Sequence, residues 1–109
     1  MGTTGSTNIP TTLELKRDGA VHLDALMAAM RAGEPAEGTA AMDAAEAHRQ
    51  HLTRWFYDCT TEIHRGLGRV YVDDPRFAAN YERVAPGLAT YLRDAILAKA
   101  DRQDAAASN

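Results

Sequence analysis

Apolar positions along this chain recur every three or four residues, the period of helices with one buried face. Five helices follow from that pattern. The first spans Thr12 to Ala32, where Leu23, Leu26, Met27 and Met30 form one stripe. Gly19 weakens its first half, and Gly33 and Pro35 end it. "GEPAEG" is a loop. The second helix starts at Thr39 as N-cap and ends near Tyr57, with Ala41, Ala45, His48, Leu52, Trp55 and Phe56 along one side. Thr60 caps the third, which carries Glu62 in its first turn, where negative charge is favoured. Its apolar side is Ile63, Leu67, Val70 and Tyr71. "DDPRF" restarts the chain with Asp74 as N-cap and Pro75 at the first helical position. This fourth helix is short, Pro75 to Arg83, with Phe77 and Tyr81 turned inward. After "VAPG" the last helix runs from Pro86 to Arg102, with Leu88, Tyr91, Leu92, Ala95, Ile96 and Lys99 in register. The pattern shows no strand and no internal repeat, so the fold class is all-α. Residues 1–11 and 104–109 are expected to be a disordered and a frayed tail around a domain at 12–103.

Composition narrows the function. A chain of 109 residues suits one domain with one modest core. Alanine supplies much of the apolar content and aromatic residues only 6%, so the few large side chains matter for a core, a ligand or both. The net charge of −3, without a basic stripe, lacks the footprint of a nucleic-acid binder. No apolar run spans a membrane, and the polar "MGTTGSTNIP" is no secretory signal. A single cysteine excludes an internal disulfide. A reduced, cytoplasmic setting is the expectation.

Candidate chemistry gathers at "WFYDCTTEIHRGLG", residues 55–68. Three aromatics lead into the one cysteine, and the helix that follows holds two glycines. Cys59 at a helix N-terminus is either a thiol with lowered pKa, and hence a nucleophile, or a small buried hydrophobe. Gly66 and Gly68 each cost a helix about 1 kcal/mol relative to alanine. They imply either a close helix crossing or room for a ligand. His48 and His51 stand three apart on one helix, and with Cys59 and His64 they supply zinc-type donors. The spacing is loose and no CxxC or HExxH occurs, so no metal or other cofactor is expected. No elbow serine, phosphate loop or marked acid–base pair is present, and the chain is expected not to be an enzyme. Trp55, Phe56, Tyr57, Tyr71, Phe77, Tyr81 and Tyr91 provide flat, amphipathic surface suited to a mostly apolar pocket.

The run from Gly33 to Ala100 resembles the TipAS antibiotic-recognition domain through "GEPA", "AMDAAE-HRQ", "YDC--E-H--LG--YV-D-RF" and "PGLA-Y-RDAILA-A". The resemblance implies an all-α, globin-like arrangement without haem. It implies a domain that binds large heteroaromatic antibiotics such as thiopeptides, as the drug sensor of a MerR-type transcription activator or as a short drug-sequestering form. Such activators carry DNA-binding and coiled-coil parts that these 109 residues lack, so direct contact with nucleic acid, or with a membrane, is not expected of this chain. Also missing are the helices that usually precede the first one here. In the family, a cysteine seven residues after that of "YDC" captures thiopeptides. The matching position is Gly66, while Cys59 matches the "YDC" cysteine, so binding is expected to be mainly reversible. The ligand-binding candidates are Trp55, Tyr57, Cys59, His64, Gly66, Leu67, Tyr71 and Phe77. The competing expectation is a helical domain that docks a protein partner in the same groove.

Overall fold

A computed structural model of the chain describes residues 12–107, with side chains from residue 22 onward. The disordered tail expected at residues 1–11 lies outside them. Five helices are present in chain order: α1 (Thr12–Arg31), α2 (Thr39–Trp55), α3 (Thr61–Asp73), α4 (Pro75–Val84) and α5 (Leu88–Ala107). Helix α1 packs on α2, α5 packs on α2, α3 and α4, and α3 packs on α4. No strand occurs among the described residues, and the arrangement is the all-α, globin-like one.

The caps show why the helices begin and end where they do. Thr60 Oγ1 accepts from the backbone N–H of Ile63 (3.2 Å) and opens α3. The Asp74 carboxylate accepts from Arg76 N (2.9 Å), with Pro75 at the first helical position of α4. Thr39 is not a cap: α2 starts one residue earlier in the chain, on an extended Gly38 without a side-chain bond. Helix α5 begins at Leu88 rather than Pro86, because Gly87 takes a positive φ of 85° in the turn. Its first N–H groups are satisfied from the preceding helix, where Glu82 accepts from Gly87 N (2.8 Å) and Ala89 N (3.0 Å). At its other end α5 passes Arg102 and remains helical to Ala107. Arg65 of α3 pairs there with Asp104 at 2.8 Å.

The apolar core is thin and alanine-rich. Leu26, Ala41, Ala44, Ala45, Tyr71, Ala85, Leu88, Leu92, Ala95 and Ile96 form it, and Leu23, Met27, Met30 and Leu67 pack against its edge. Helix α3 is rotated from the expectation. Ile63 (43%) and Val70 (40%) are exposed, while His64, Gly68 and Tyr71 are buried. The rotation has a physical cause. It seats Gly68 against α5, where a Cβ would stand 3.4 Å from Ile96 Cγ2, and it carries His64 to Lys99. Of the two readings of the glycines, Gly68 marks a close helix crossing. Gly66 faces open space.

Candidate functional site

A groove of about 430 Å³ opens between the α1–α2 pair and α4. Helix α1 contributes His22 and Leu23. Helix α2 contributes His48, His51 and Leu52 at helical spacing, and Phe56 follows at its end. Helix α3 contributes Tyr71, and α4 contributes Phe77, Asn80, Tyr81 and Val84. The size lies in the range of small-molecule sites.

Rings dominate the lining. Tyr71 meets Phe77 (centroids 5.8 Å apart) and Tyr81 (5.1 Å) in tilted contacts. The edge of His48 meets Tyr71 at 5.7 Å and His22 at 4.8 Å. His51 approaches Phe56 at 5.9 Å. Phe56 (59%), Phe77 (42%) and Val84 (43%) leave large apolar surface open to solvent at the rim. Phe77, expected to turn inward and to meet a ligand, is therefore a wall of the groove with much of its ring exposed. A hollow of about 690 Å³ lies over Arg69, Val70, Asp73, Asp74, Pro75 and Arg76. It is larger, but four of its six lining residues are charged and none is aromatic, so it offers no ring surface for stacking.

Behind the groove runs a buried polar seam. His48 Nδ1 lies 2.8 Å from His64 Nε2, and His64 Nδ1 lies 2.9 Å from Lys99 Nζ. Lys99 also donates to Glu46 Oε1 at 3.1 Å. Glu46 pairs with Arg49 (2.6 Å), whose Nη1 donates to the Cys59 carbonyl at 2.9 Å. His64 and Lys99 are fully buried, and Lys99 leads the fully sealed side chains in size. Burial opposes ionisation of Glu46, but hydrogen bonds from Arg49 and Lys99 outweigh it and hold the carboxyl down to about 2. Burial pushes His48 down to about 2, reinforced by neighbouring histidines. Burial, then the Lys99 charge, pushes His64 down to about 3. Both imidazoles are neutral at pH 7. Burial also lowers Lys99, against the pull of Glu46.

The structure divides the sequence-predicted site residues. Tyr71 and Phe77 line the groove. Trp55 stands beside it, in ring contact with His51 at 6.5 Å. His64 belongs to the seam, and Leu67 packs on the core edge. Tyr57 and Gly66 are exposed away from the groove lining. Cys59 is fully buried, and burial raises its thiol pKa. The activated-thiol reading fails because Cys59 precedes the cap residue Thr60. Its Sγ lies 3.9 Å from the Thr60 carbonyl oxygen, to which the thiol donates, instead of addressing the helix N–H groups. The zinc donors do not converge either: His48 and His64 face each other, and no group of three ligating side chains able to hold a metal occurs among the described residues. Sequence reasoning passed over His22, Leu23, His48, His51, Leu52, Asn80 and Val84 as lining, and named Phe56 and Tyr81 only within the wider aromatic set. The signal for four of those passed over, His48, His51, Leu52 and Val84, was the spacing of His48, His51, Leu52 and Phe56 along one side of α2 and of Phe77, Tyr81 and Val84 on α4.

The family model described as the TipAS antibiotic-recognition domain matches residues 12–99. The chain belongs to the TipAS family. It is 57% identical over 76 residues to the HTH-type transcriptional activator TipA of Streptomyces coelicolor, covering 70% of this chain and 30% of that one. It is 45% identical over 58 residues to the HTH-type transcriptional activator mta of Bacillus subtilis, covering 53% and 23%. The chain thus spans less than a third of these relatives. Among solved structures it is similar to TipAS in complex with nosiheptide, from a thiopeptide antibiotic multidrug resistance system of Streptomyces lividans. There the TM-score is 0.76 and the identity 48%, over 82% of this chain and 62% of that one. It is equally similar to the antibiotic-binding domain of a TipA-class multidrug resistance transcriptional regulator, with a TM-score of 0.74 and 48% identity over 82% and 95%. No helix among the described residues is long and apolar enough to cross a membrane.

Proposed function

We propose that this TipAS domain is a non-enzymatic receptor for a large heteroaromatic antibiotic of the thiopeptide kind, seated with one group of rings in the groove between α1–α2 and α4. The observation that carries the reading is the groove itself. A small, thin-cored domain keeps Phe56, Phe77 and Val84 exposed around one concave, ring-lined space. Exposed apolar surface gathered at a concavity marks a binding site. A space of about 430 Å³ takes a few fused or linked rings, so the rest of a thiopeptide lies across the rim. Concavity favours such a ligand over a protein partner. Within a longer regulator the bound drug would be the signal; as a separate chain the domain would sequester it.

Binding is reversible in this reading. Gly66 has no thiol and Cys59 is sealed. Titration with nosiheptide, followed by tryptophan emission and amide shifts, tests the site. Saturable shifts centred on His48–Phe56 and Tyr71–Val84 support it, and shifts confined to the end of α5 refute it. Intact-protein mass after incubation with a dehydroalanine-bearing thiopeptide should stay unchanged.

A further inference from the structure

The polar seam dictates what the groove offers to a ligand. A lysine ammonium has three donors and no acceptor. Glu46 Oε1, 3.1 Å from Lys99 Nζ, keeps that group an ammonium. Facing it at 2.9 Å, His64 Nδ1 must therefore accept. A neutral imidazole that accepts at one nitrogen carries its proton on the other. His64 Nε2–H then donates across 2.8 Å to His48 Nδ1, and His48 in turn carries its proton on Nε2. Nδ1 is taken up by α3, which leaves Nε2 as the ring nitrogen available to the groove that His48 lines beside His22. His64 is the hydrogen-bond partner of His48 among the described residues.

We propose that the Lys99–His64–His48 chain fixes His48 as a hydrogen-bond donor in the groove, selecting ligands that place an acceptor there: an azole or pyridine ring nitrogen, or an amide carbonyl. Lys99 and His64 are positioning residues in this scheme, and His48 is the contact. The ligand half of the proposal rests on the groove being the drug site; the tautomer half does not. The rest of the wall is apolar or aromatic apart from His22, His51, Asn80 and the Tyr71 and Tyr81 hydroxyls. A correctly placed acceptor gains a directional bond, and a ligand that presents an N–H or a cation to His48 meets a fixed donor. Both histidines are neutral, so each ring has one acceptor nitrogen, and the Lys99 ammonium sets which one it is.

The test reads tautomers directly, by long-range ¹H–¹⁵N correlation of the histidine rings in the wild-type chain. His48 and His64 should both carry the proton on Nε2. A proton on Nδ1 of His48 overturns the proposal without any variant. In Lys99→Met, His64 loses its fixed donor, and both rings should become mixtures of tautomers, with circular dichroism reporting whether the fold holds. Unchanged tautomers in a folded Lys99→Met overturn the relay. The ligand half uses nosiheptide as the probe. His48→Leu should bind roughly 5- to 10-fold more weakly, the loss of one hydrogen bond, while His48→Gln, which keeps a donor, should recover most of it. If His48→Leu binds like wild type while Phe77→Ala does not, the donor role falls and the groove reading survives. If wild type does not bind at all, the groove reading falls and takes the acceptor preference with it, while the tautomers still stand or fall by their own spectrum.

Discussion

Helix α2 separates two regions that invert the usual partition of residues. On one side Glu46 joins His64 and the buried Lys99 in a polar seam, which His48 links to the groove. On the other, His51, Leu52 and Phe56 face an open groove whose rim exposes Phe56, Phe77 and Val84. A lysine is inside and phenylalanines are outside, the reverse of the ordinary preference. The two arrangements answer different demands. A buried ammonium admits one register of α5 against α2 and α3, since any slip leaves it without acceptors. Exposed rings add little to the stability of the free domain and supply surface for a ligand to cover. Perturbing the seam should therefore change folding, and perturbing the groove should change binding.

Acid breaks the seam most severely. His48 and His64 have folded-state pKa values depressed to about 2 and 3. Their contribution is present above the unfolded value of about 6.5 and is lost as pH falls. Between pH 6.5 and 4.5 the unfolded chain binds two more protons, which removes on the order of 5 kcal/mol. Glu46 works in the same direction below pH 4.5. Urea unfolding across this range should show stability falling steeply with acid. A flat profile would mean that the histidines are not held neutral.

Next in size is Glu46→Leu. It leaves the Lys99 ammonium facing His64 alone and releases Arg49 from its partner. A loss of about 3 kcal/mol is expected, read as a lower urea midpoint at unchanged slope. A change below 1 kcal/mol would show that Lys99 is neutral or finds water.

Phe77→Ala moves the other region. Nosiheptide affinity should fall roughly 10-fold, as for an aromatic wall residue. The urea midpoint should barely move, because the ring is 42% exposed already. Comparable losses in both readouts would erase the division between seam and groove.

The smallest effect sharpens the contrast within α3. Gly66→Ala should stabilise the domain by about 0.5–1 kcal/mol, since its Cβ enters open space in a helix interior. Gly68→Leu should destabilise by about 1–3 kcal/mol by forcing α3 off Ile96. Paired thermal melts decide both. Opposite signs are expected from two glycines that look alike in the sequence.

What the sequence determined by itself was local. The 3.6-residue period placed five helices, and side-chain caps at Thr60 and Asp74 and the Pro75 restart are where they were read, because caps act within three residues of themselves. The motifs also carried the family. Facing directions were legible where large apolar residues decide them, as with Leu26 and Leu92. They were only half legible on α3, where Tyr71 is buried as read but His64 and Gly68, not Ile63 and Val70, share its side. Only packing could decide that. The gain from closing Gly68 on Ile96 and joining His64 to Lys99 is shared between helices 35 residues apart in the chain at the His64–Lys99 bond. The groove is tertiary for the same reason. Its lining comes from α1 through α4, and no one segment holds enough of it to be read as a site. The thiol shows how narrow the margin is: one position before the cap put Cys59 in the interior, where burial raises the pKa that a place inside the first turn would have lowered.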